Sequence, residues 1–272
     1  MSALTNREYK ELEKLERKKG FSKLNEHELK RIEQLKSKQS SDNNYVAKNP
    51  NEKYKLDWFH PTGKQVEYVN SINRYDTILV QGASGVGKST TAIWKGLSML
   101  GKQYKHIMFI KTANECGDDA IGYLTGNENE KLVAHFKNMK NVFLDFMSEE
   151  KLEIDIKKKN IIFDIPNFIQ GGTFSSTFII IDEAQNMSPL TLKLLLERFD
   201  DSCKVIVLGD CKQTYSIKKR KDGFTDLVSR VCNKTQEGVL FCVEPDWDYI
   251  ELPPSENRRG KRSRRVTELY SN

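Results

Sequence analysis

Residues 82–89 read Gly-Ala-Ser-Gly-Val-Gly-Lys-Ser, a spacing of glycines, one lysine and one hydroxyl that suits a polyphosphate. The glycines let backbone N–H groups converge on phosphate oxygens, and a helix that begins at the lysine adds the positive end of its dipole. On this reading Gly82, Ala83, Ser84, Gly85, Val86, Gly87, Lys88, Ser89 and Thr90 form a nucleotide cradle. Lys88 reaches the β- and γ-phosphates, and the Ser89 hydroxyl ligates Mg²⁺. The apolar run Ile78–Val80 ahead of the loop reads as a buried strand and the segment behind it as a helix, the setting a P-loop requires.

A second acidic element complements the loop. Phe178-Ile179-Ile180-Ile181-Asp182-Glu183-Ala184-Gln185 is an apolar strand ending in two carboxylates. Asp182 at the strand tip holds Mg²⁺, directly or through its water, and Glu183 orients and activates the attacking water. A hydrolase needs such a base beside the metal ligand, so the pair favours ATP hydrolysis over phosphotransfer. Val205–Gly209 is a third strand, expected beside the Asp182 strand; it brings Asp210 and Gln213 towards the γ-phosphate. Upstream, Gln65 follows Trp58-Phe59-His60-Pro61, and its amide has the paired donor and acceptor needed to read an adenine edge, with Trp58 or Phe59 packing nearby. No Asn/Thr-Lys-x-Asp guanine signature occurs, which favours ATP over GTP.

The elements that must position these residues alternate along the chain. Candidate strands are Thr77–Gln81, Ile107–Lys111, Val142–Phe146, Ile161–Asp164, Phe178–Asp182, Val205–Gly209 and Gly238–Val243. Helical stretches fall between them, at Lys88–Leu100, Glu130–Asn138 and Pro189–Arg198. Continuous apolar strands separated by helices predict an α/β domain with a mainly parallel sheet covered on both faces, its ligand at the carboxyl ends of the strands.

The first 40 residues carry a repeat of period 20. Leu4-Thr5-x-x-Glu8-Tyr9 returns as Leu24-Asn25-x-x-Glu28-Leu29. Each copy offers an N-cap with a glutamate three positions later and an apolar staple across it, closer to a capping box at Thr5 than at Asn25. We expect an N-terminal helical hairpin over 1–40, a flexible linker over 41–55 and the α/β domain over 56–272.

The 272 residues carry a net charge of +6, placed unevenly. Residues 1–55 hold 14 Lys/Arg against 9 Asp/Glu, and residues 256–272 hold 6 against 2, so the basic excess lies at the two ends of a mildly acidic core. That pattern fits either solvated tails or contact with a polyanion. Five scattered cysteines form no Cys-x-x-Cys pair, and the chain has no apolar run of transmembrane length and no signal-peptide core at its start. Reduced thiols, no membrane partner and a cytoplasmic location are therefore expected.

Taken together, the motifs resemble the PhoH family of P-loop ATPases, which is similar to the first motor core of superfamily 1 helicases. The resemblance runs over residues 57–270. It rests on Gln65, the GASGVGKS loop, Glu115-Cys116-Gly117 followed by Ile121-Gly122-Tyr123-Leu124-x-Gly126, Gln170-Gly171-Gly172-Thr173-Phe174, Ile181-Asp182-Glu183-Ala184-Gln185-Asn186, Gly209-Asp210-x-x-Gln213 and Lys221-Asp222-Gly223. It implies a RecA-like core, ATP and Mg²⁺ as cofactors, ATP hydrolysis, a link to RNA or single-stranded nucleic acid, and a homo-oligomer, often a ring. A nucleotide switch that binds RNA or protein without catalysis, or a phosphotransferase, is the alternative. The chain departs from the family pattern at two places. Lys111-Thr112-Ala113 stands where Thr-Arg-Pro is common, and Gln170-Gly171-Gly172-Thr173 lacks two arginines usual in that stretch. Arg259 matches a family arginine before the final helix and, as an arginine finger, would supply the charge that approaches the γ-phosphate from a neighbouring subunit in a ring. Arg258, Lys218 and Lys221 are the other candidates.

Overall fold

The computed structural model describes residues 25, 27–34, 54–112, 139–166, 172–211 and 222–269. They fall into two compact units divided between Trp58 and Phe59. In the first, residues 27–34 form a helix closed by reciprocal bonds: Glu28 N–H donates to Asn25 Oδ1 at 2.9 Å, and Asn25 N–H donates to Glu28 Oε2 at 3.1 Å. The looser sequence signal of the second repeat thus forms a complete capping box. The first repeat and residues 41–53 of the expected linker lie outside the described residues.

The second unit contains β1 (Thr77–Gly82), β2 (His106–Lys111), β3 (Ile161–Asp164), β4 (Thr177–Asp182), β5 (Lys204–Gly209), β6 (Cys232–Lys234), β7 (Leu240–Cys242) and β8 (Trp247–Leu252). Six of these make one sheet in the order β3-β2-β4-β5-β1-β8, with every neighbouring pair parallel. The helices are α1 (Lys64–Arg74), α2 (Lys88–Met99), α3 (Glu149–Lys157), α4 (Pro189–Leu196), α5 (Gly223–Val231) and α6 (Lys261–Leu269). β1, β4 and β5 are buried along their whole length, as their unbroken apolar sequences require of central parallel strands. One face of the sheet, with Leu79, Ile181 and Val207, packs on Leu192 and Leu195 of α4 and on Phe224 and Val228 of α5. β5 lies beside β4, as expected, and on its other side pairs with β1, so the P-loop and Asp182 emerge with one strand between them at the same carboxyl end of the sheet. Ser148, Ser188 and Asp222 cap α3, α4 and α5 with side-chain oxygens that accept from the third residue onward.

Two expected strands differ. Residues 142–146 form turns, closed by Phe143 N–H to the Lys140 carbonyl and Phe146 N–H to the Phe143 carbonyl, both at 2.9 Å. The turn sends two aromatics three residues apart into the core: Phe143 packs edge-on against Phe109 and Phe163, and Phe146 against Phe59. The segment expected over 238–243 narrows to β7, which pairs antiparallel with β6 in a separate ribbon. The strand on the far side of β1 is β8, whose Trp-Asp-Tyr-Ile-Glu-Leu alternation carries polar residues that only an edge strand can leave partly exposed. The helix expected over 130–138 lies outside the described residues. Among the described residues, no helix is long and apolar enough to cross a membrane.

In the ribbon, Cys232 and Cys242 are register partners and their sulfurs lie 3.3 Å apart. Val243 N–H donates to the Val231 carbonyl and Thr235 N–H to that of Val239, so the intervening Cys232–Cys242 pair occupies a position without ladder hydrogen bonds, where side chains approach most closely. Both thiols are free. Incubation with glutathione disulfide is expected to link these two cysteines and to leave Cys203 and Cys211 reduced. Peptide mapping checks this, and Cys232→Ser should abolish the link.

Candidate functional site

The loop between β1 and α2 is shaped from behind. A phosphate-binding turn must keep its N–H groups available, so its carbonyls need donors from elsewhere. Each carbonyl from 82 to 87 has one. Lys88 Nζ donates to Gly82 O at 2.5 Å and to Ala83 O at 3.2 Å. Asn257 Nδ2 donates to Ser84 O at 3.1 Å, and Arg258 N–H to Gly85 O at 3.1 Å. Gln65 Nε2 donates to Val86 O at 3.0 Å, and Thr91 N–H to Gly87 O at 2.9 Å. The supports sit so close that the left-handed glycines have no substitute: a Cβ on Gly85 would come within 2.9 Å of Asn257 Oδ1, and one on Gly87 within 2.6 Å of Gln65 Nε2.

This geometry bears on two expectations. Gln65 has 0 % exposure, and both ends of its amide are engaged. Its oxygen accepts from Arg258 Nη2 at 3.0 Å while its nitrogen holds Val86. Gln65 therefore braces the loop here, instead of presenting an edge to a base. Phe59, one of the two aromatics expected near the base, is buried against Trp94 and under the Arg258 guanidinium. Arg259, expected to act from a neighbouring subunit, reaches the loop of its own chain here: its Nη1 donates to Ser84 Oγ at 2.8 Å. Asn257, 2 % exposed, fixes that position by accepting from Arg259 N–H at 2.9 Å.

On the acidic side, Asp182 is 5 % exposed. Its Oδ1 accepts from Ser89 Oγ at 3.2 Å and from Glu183 N–H at 3.1 Å. Lys111 Nζ lies 3.5 Å from Oδ2. Glu183 adopts a left-handed backbone, φ 55°, a conformation that costs a non-glycine residue and is typical of functional turns. Gln185 Nε2 donates to Glu183 Oε2 at 2.6 Å, and Gln185 Oε1 accepts from Asp210 N–H at 3.1 Å. Gln81 completes the chain, donating to Asp210 Oδ1 at 3.4 Å and accepting from Cys211 N–H at 3.1 Å. Buried amides thus orient both Glu183 and Asp210. Sequence reading did not assign this work to Gln81 and Gln185; the available signal was an amide at the tip of one strand and another just past the next. Gln213, Gln170, Lys218 and Lys221 lie outside the described residues.

The charges of the site act on one another. Burial pulls the Lys88 pKa down, and Asp182, Glu183 and Asp210 oppose that pull, while Arg259 adds to it. Lys88 therefore sits in the field of all three carboxylates and of the cis arginine. Burial first, and Asp182 second, push the Tyr68 hydroxyl well above its ordinary value.

These residues fit a magnesium nucleotide. A hydroxyl and a carboxylate oxygen 3.2 Å apart are hard donors of the kind Mg²⁺ takes, and Mg²⁺ uses few protein ligands and keeps several waters. Among the described residues no cluster of three or more His, Cys, Asp or Glu side chains is placed to hold a metal. The Lys88 ammonium rests on two loop carbonyls, those of Gly82 and Ala83.

The model of the PhoH-like protein family matches residues 60–246. The chain belongs to that family. A PhoH-like protein of Synechocystis is 29% identical over 194 residues, 71% of this chain and 58% of that protein. A PhoH-like protein of Bacillus subtilis is 28% identical over 191 residues, 70% of this chain and 59% of that protein. The chain therefore spans less than two thirds of the length of these relatives. The Hef helicase domain of Pyrococcus furiosus aligns with a TM-score of 0.41 and 13% identity, over 73% of this chain and 39% of that one. As a PhoH-like P-loop NTPase, the chain carries a nucleotide-binding fold.

If Gln65 braces the loop, Gln65→Ala weakens binding of ATP, GTP and inorganic tripolyphosphate to a similar extent. A base reader would instead lose affinity for ATP alone. Competition calorimetry with the three ligands separates the two roles.

Proposed function

We propose that the chain is a cytoplasmic, Mg²⁺-dependent ATPase whose turnover is coupled to RNA or single-stranded nucleic acid. The observation that carries the proposal is the joining of Ser89, Asp182 and a braced Glu183 at one end of the sheet, one strand from the P-loop. When bound, Mg²⁺ would neutralise developing charge on the phosphates. Ser89 and Asp182 would hold it, and Lys88 would leave the loop carbonyls for the β- and γ-phosphates. Glu183, steadied by Gln185, would accept the proton of the attacking water. Arg259 would lend positive charge from the open side of the loop. Gln213 keeps its proposed place beside the γ-phosphate. Coupling to nucleic acid is supported by α6, whose exposed Lys261, Arg262, Arg264 and Arg265 follow directly on the Arg258–Arg259 segment. A basic helix next to a phosphate site suits a sugar-phosphate backbone.

Phosphate release should depend on Mg²⁺ and rise with single-stranded RNA, by an effect that fades with added salt. Glu183→Gln should bind ATP yet turn it over about 10²–10⁴-fold more slowly. Wild-type turnover by that variant would remove Glu183 as the base, and ATP binding without turnover by the wild type would favour the switch reading. Because Arg259 reaches its own loop, Arg259→Ala should lower turnover about 10³-fold. A mixture of Lys88→Ala and Arg259→Ala proteins should recover nothing, whereas an arginine delivered between subunits would restore part of the rate.

A further inference from the structure

Lys111 ends β2, and parallel pairing sets it in register with Asp182 at the end of β4. The two strands therefore bring an ammonium and a carboxylate to the same point of the sheet. The Asp182 side chain is 7% exposed and that of Lys111 35%, so the anion is held inside while the cation comes from the solvent side. Oδ1 of Asp182 is satisfied by the Ser89 hydroxyl and the Glu183 amide, and Lys111 faces Oδ2. A carboxylate this buried is costly without a compensating charge. At 3.5 Å the Lys111–Oδ2 contact is an ion pair longer than an ordinary N–H···O bond, so the compensation is mainly electrostatic. A lysine on a flexible stem can withdraw from such a contact more readily than a forked arginine locked by two hydrogen bonds.

Resting on the reading of Ser89 and Asp182 as the magnesium site, we propose that Lys111 is the resident counter-ion of that site: it neutralises Asp182 when no divalent cation is bound and gives up that place when one arrives. Two consequences follow from charge alone. Without metal, loss of the ammonium takes the ion-pair partner from a buried carboxylate and leaves it only the field of Lys88. With metal, loss of the ammonium removes a positive charge that repels the cation from the same carboxylate.

The test uses the full chain, Mn²⁺ as the spectroscopic probe and ADP as the nucleotide. In EDTA, Lys111→Gln should melt below wild type, and Lys111→Arg should melt close to it because the charge is kept. With saturating Mn²⁺ and ADP, the gap between Lys111→Gln and wild type should close. The Mn²⁺ midpoint, read by electron paramagnetic resonance, should fall about threefold or more in Lys111→Gln. Asp182→Asn should erase the metal-free deficit of Lys111→Gln in the double variant. A deficit that persists with metal, or a midpoint that stays put or rises, overturns the counter-ion role while the magnesium reading stands. If wild type binds no Mn²⁺ with ADP, the magnesium reading and the counter-ion role fall together.

Discussion

A turn that grips phosphate has to leave its N–H groups unused, and its carbonyls must then be satisfied by something that is not the turn. Here that requirement organises the whole nucleotide end of the domain. Six successive carbonyls, from Gly82 to Gly87, are held by Lys88, Asn257, Arg258, Gln65 and Thr91. Three of those donors come from parts of the chain far from the loop: Gln65 comes from α1, and Asn257 and Arg258 arrive because β8 runs parallel to β1 and ends beside it, with Gly82 in register with Leu252. The edge strand is thus the reason the C-terminal segment can reach the loop at all.

The sheet order does the same for the charges. Placing β5 between β1 and β4 sets Lys88, Asp210 and Asp182 across three adjacent strand ends, and β2 adds Lys111 beside Asp182. Charges of both signs meet where burial makes each expensive alone, so each is given a partner or an amide that fixes its direction. The left-handed backbone at Glu183 belongs to this arrangement: it turns the side chain towards Gln185.

Much of this was legible in the sequence, because the residues proposed to bind phosphate and metal are local motifs at strand ends. Lys88, Ser89, Asp182 and Glu183 fall where strand-then-turn patterns put them, and unbroken apolar runs identified β1, β2, β4 and β5. What escaped was of two kinds. Elements whose polarity is set by position were misread: β8 is polar because it lies at an edge, and residues 142–146 are apolar because a turn buries two phenylalanines on one side. Long-range polar partners were invisible as well. Nothing local announces that Asn257 meets Ser84, separated by 173 positions, or that Arg258 meets Gln65 across 193. The amide of Gln65 showed a capacity to bond, and only the fold decides with what.

The family match ends at residue 246, just before β8 begins. Every residue with an obvious chemical role except Arg259 lies inside that boundary, yet two of the donors that give the loop its shape, Asn257 and Arg258, lie past it. The border drawn by shared motifs and the border drawn by closed hydrogen bonding are therefore different lines. A fragment cut at the first would retain the reactive vocabulary of the site and lose its grammar: the carbonyls of Ser84 and Gly85 would turn to water, and β1 would become a sheet edge. In this chain the smallest span that keeps the loop's hydrogen bonds closed extends through Arg259, and exchange of parts between relatives should respect that longer span.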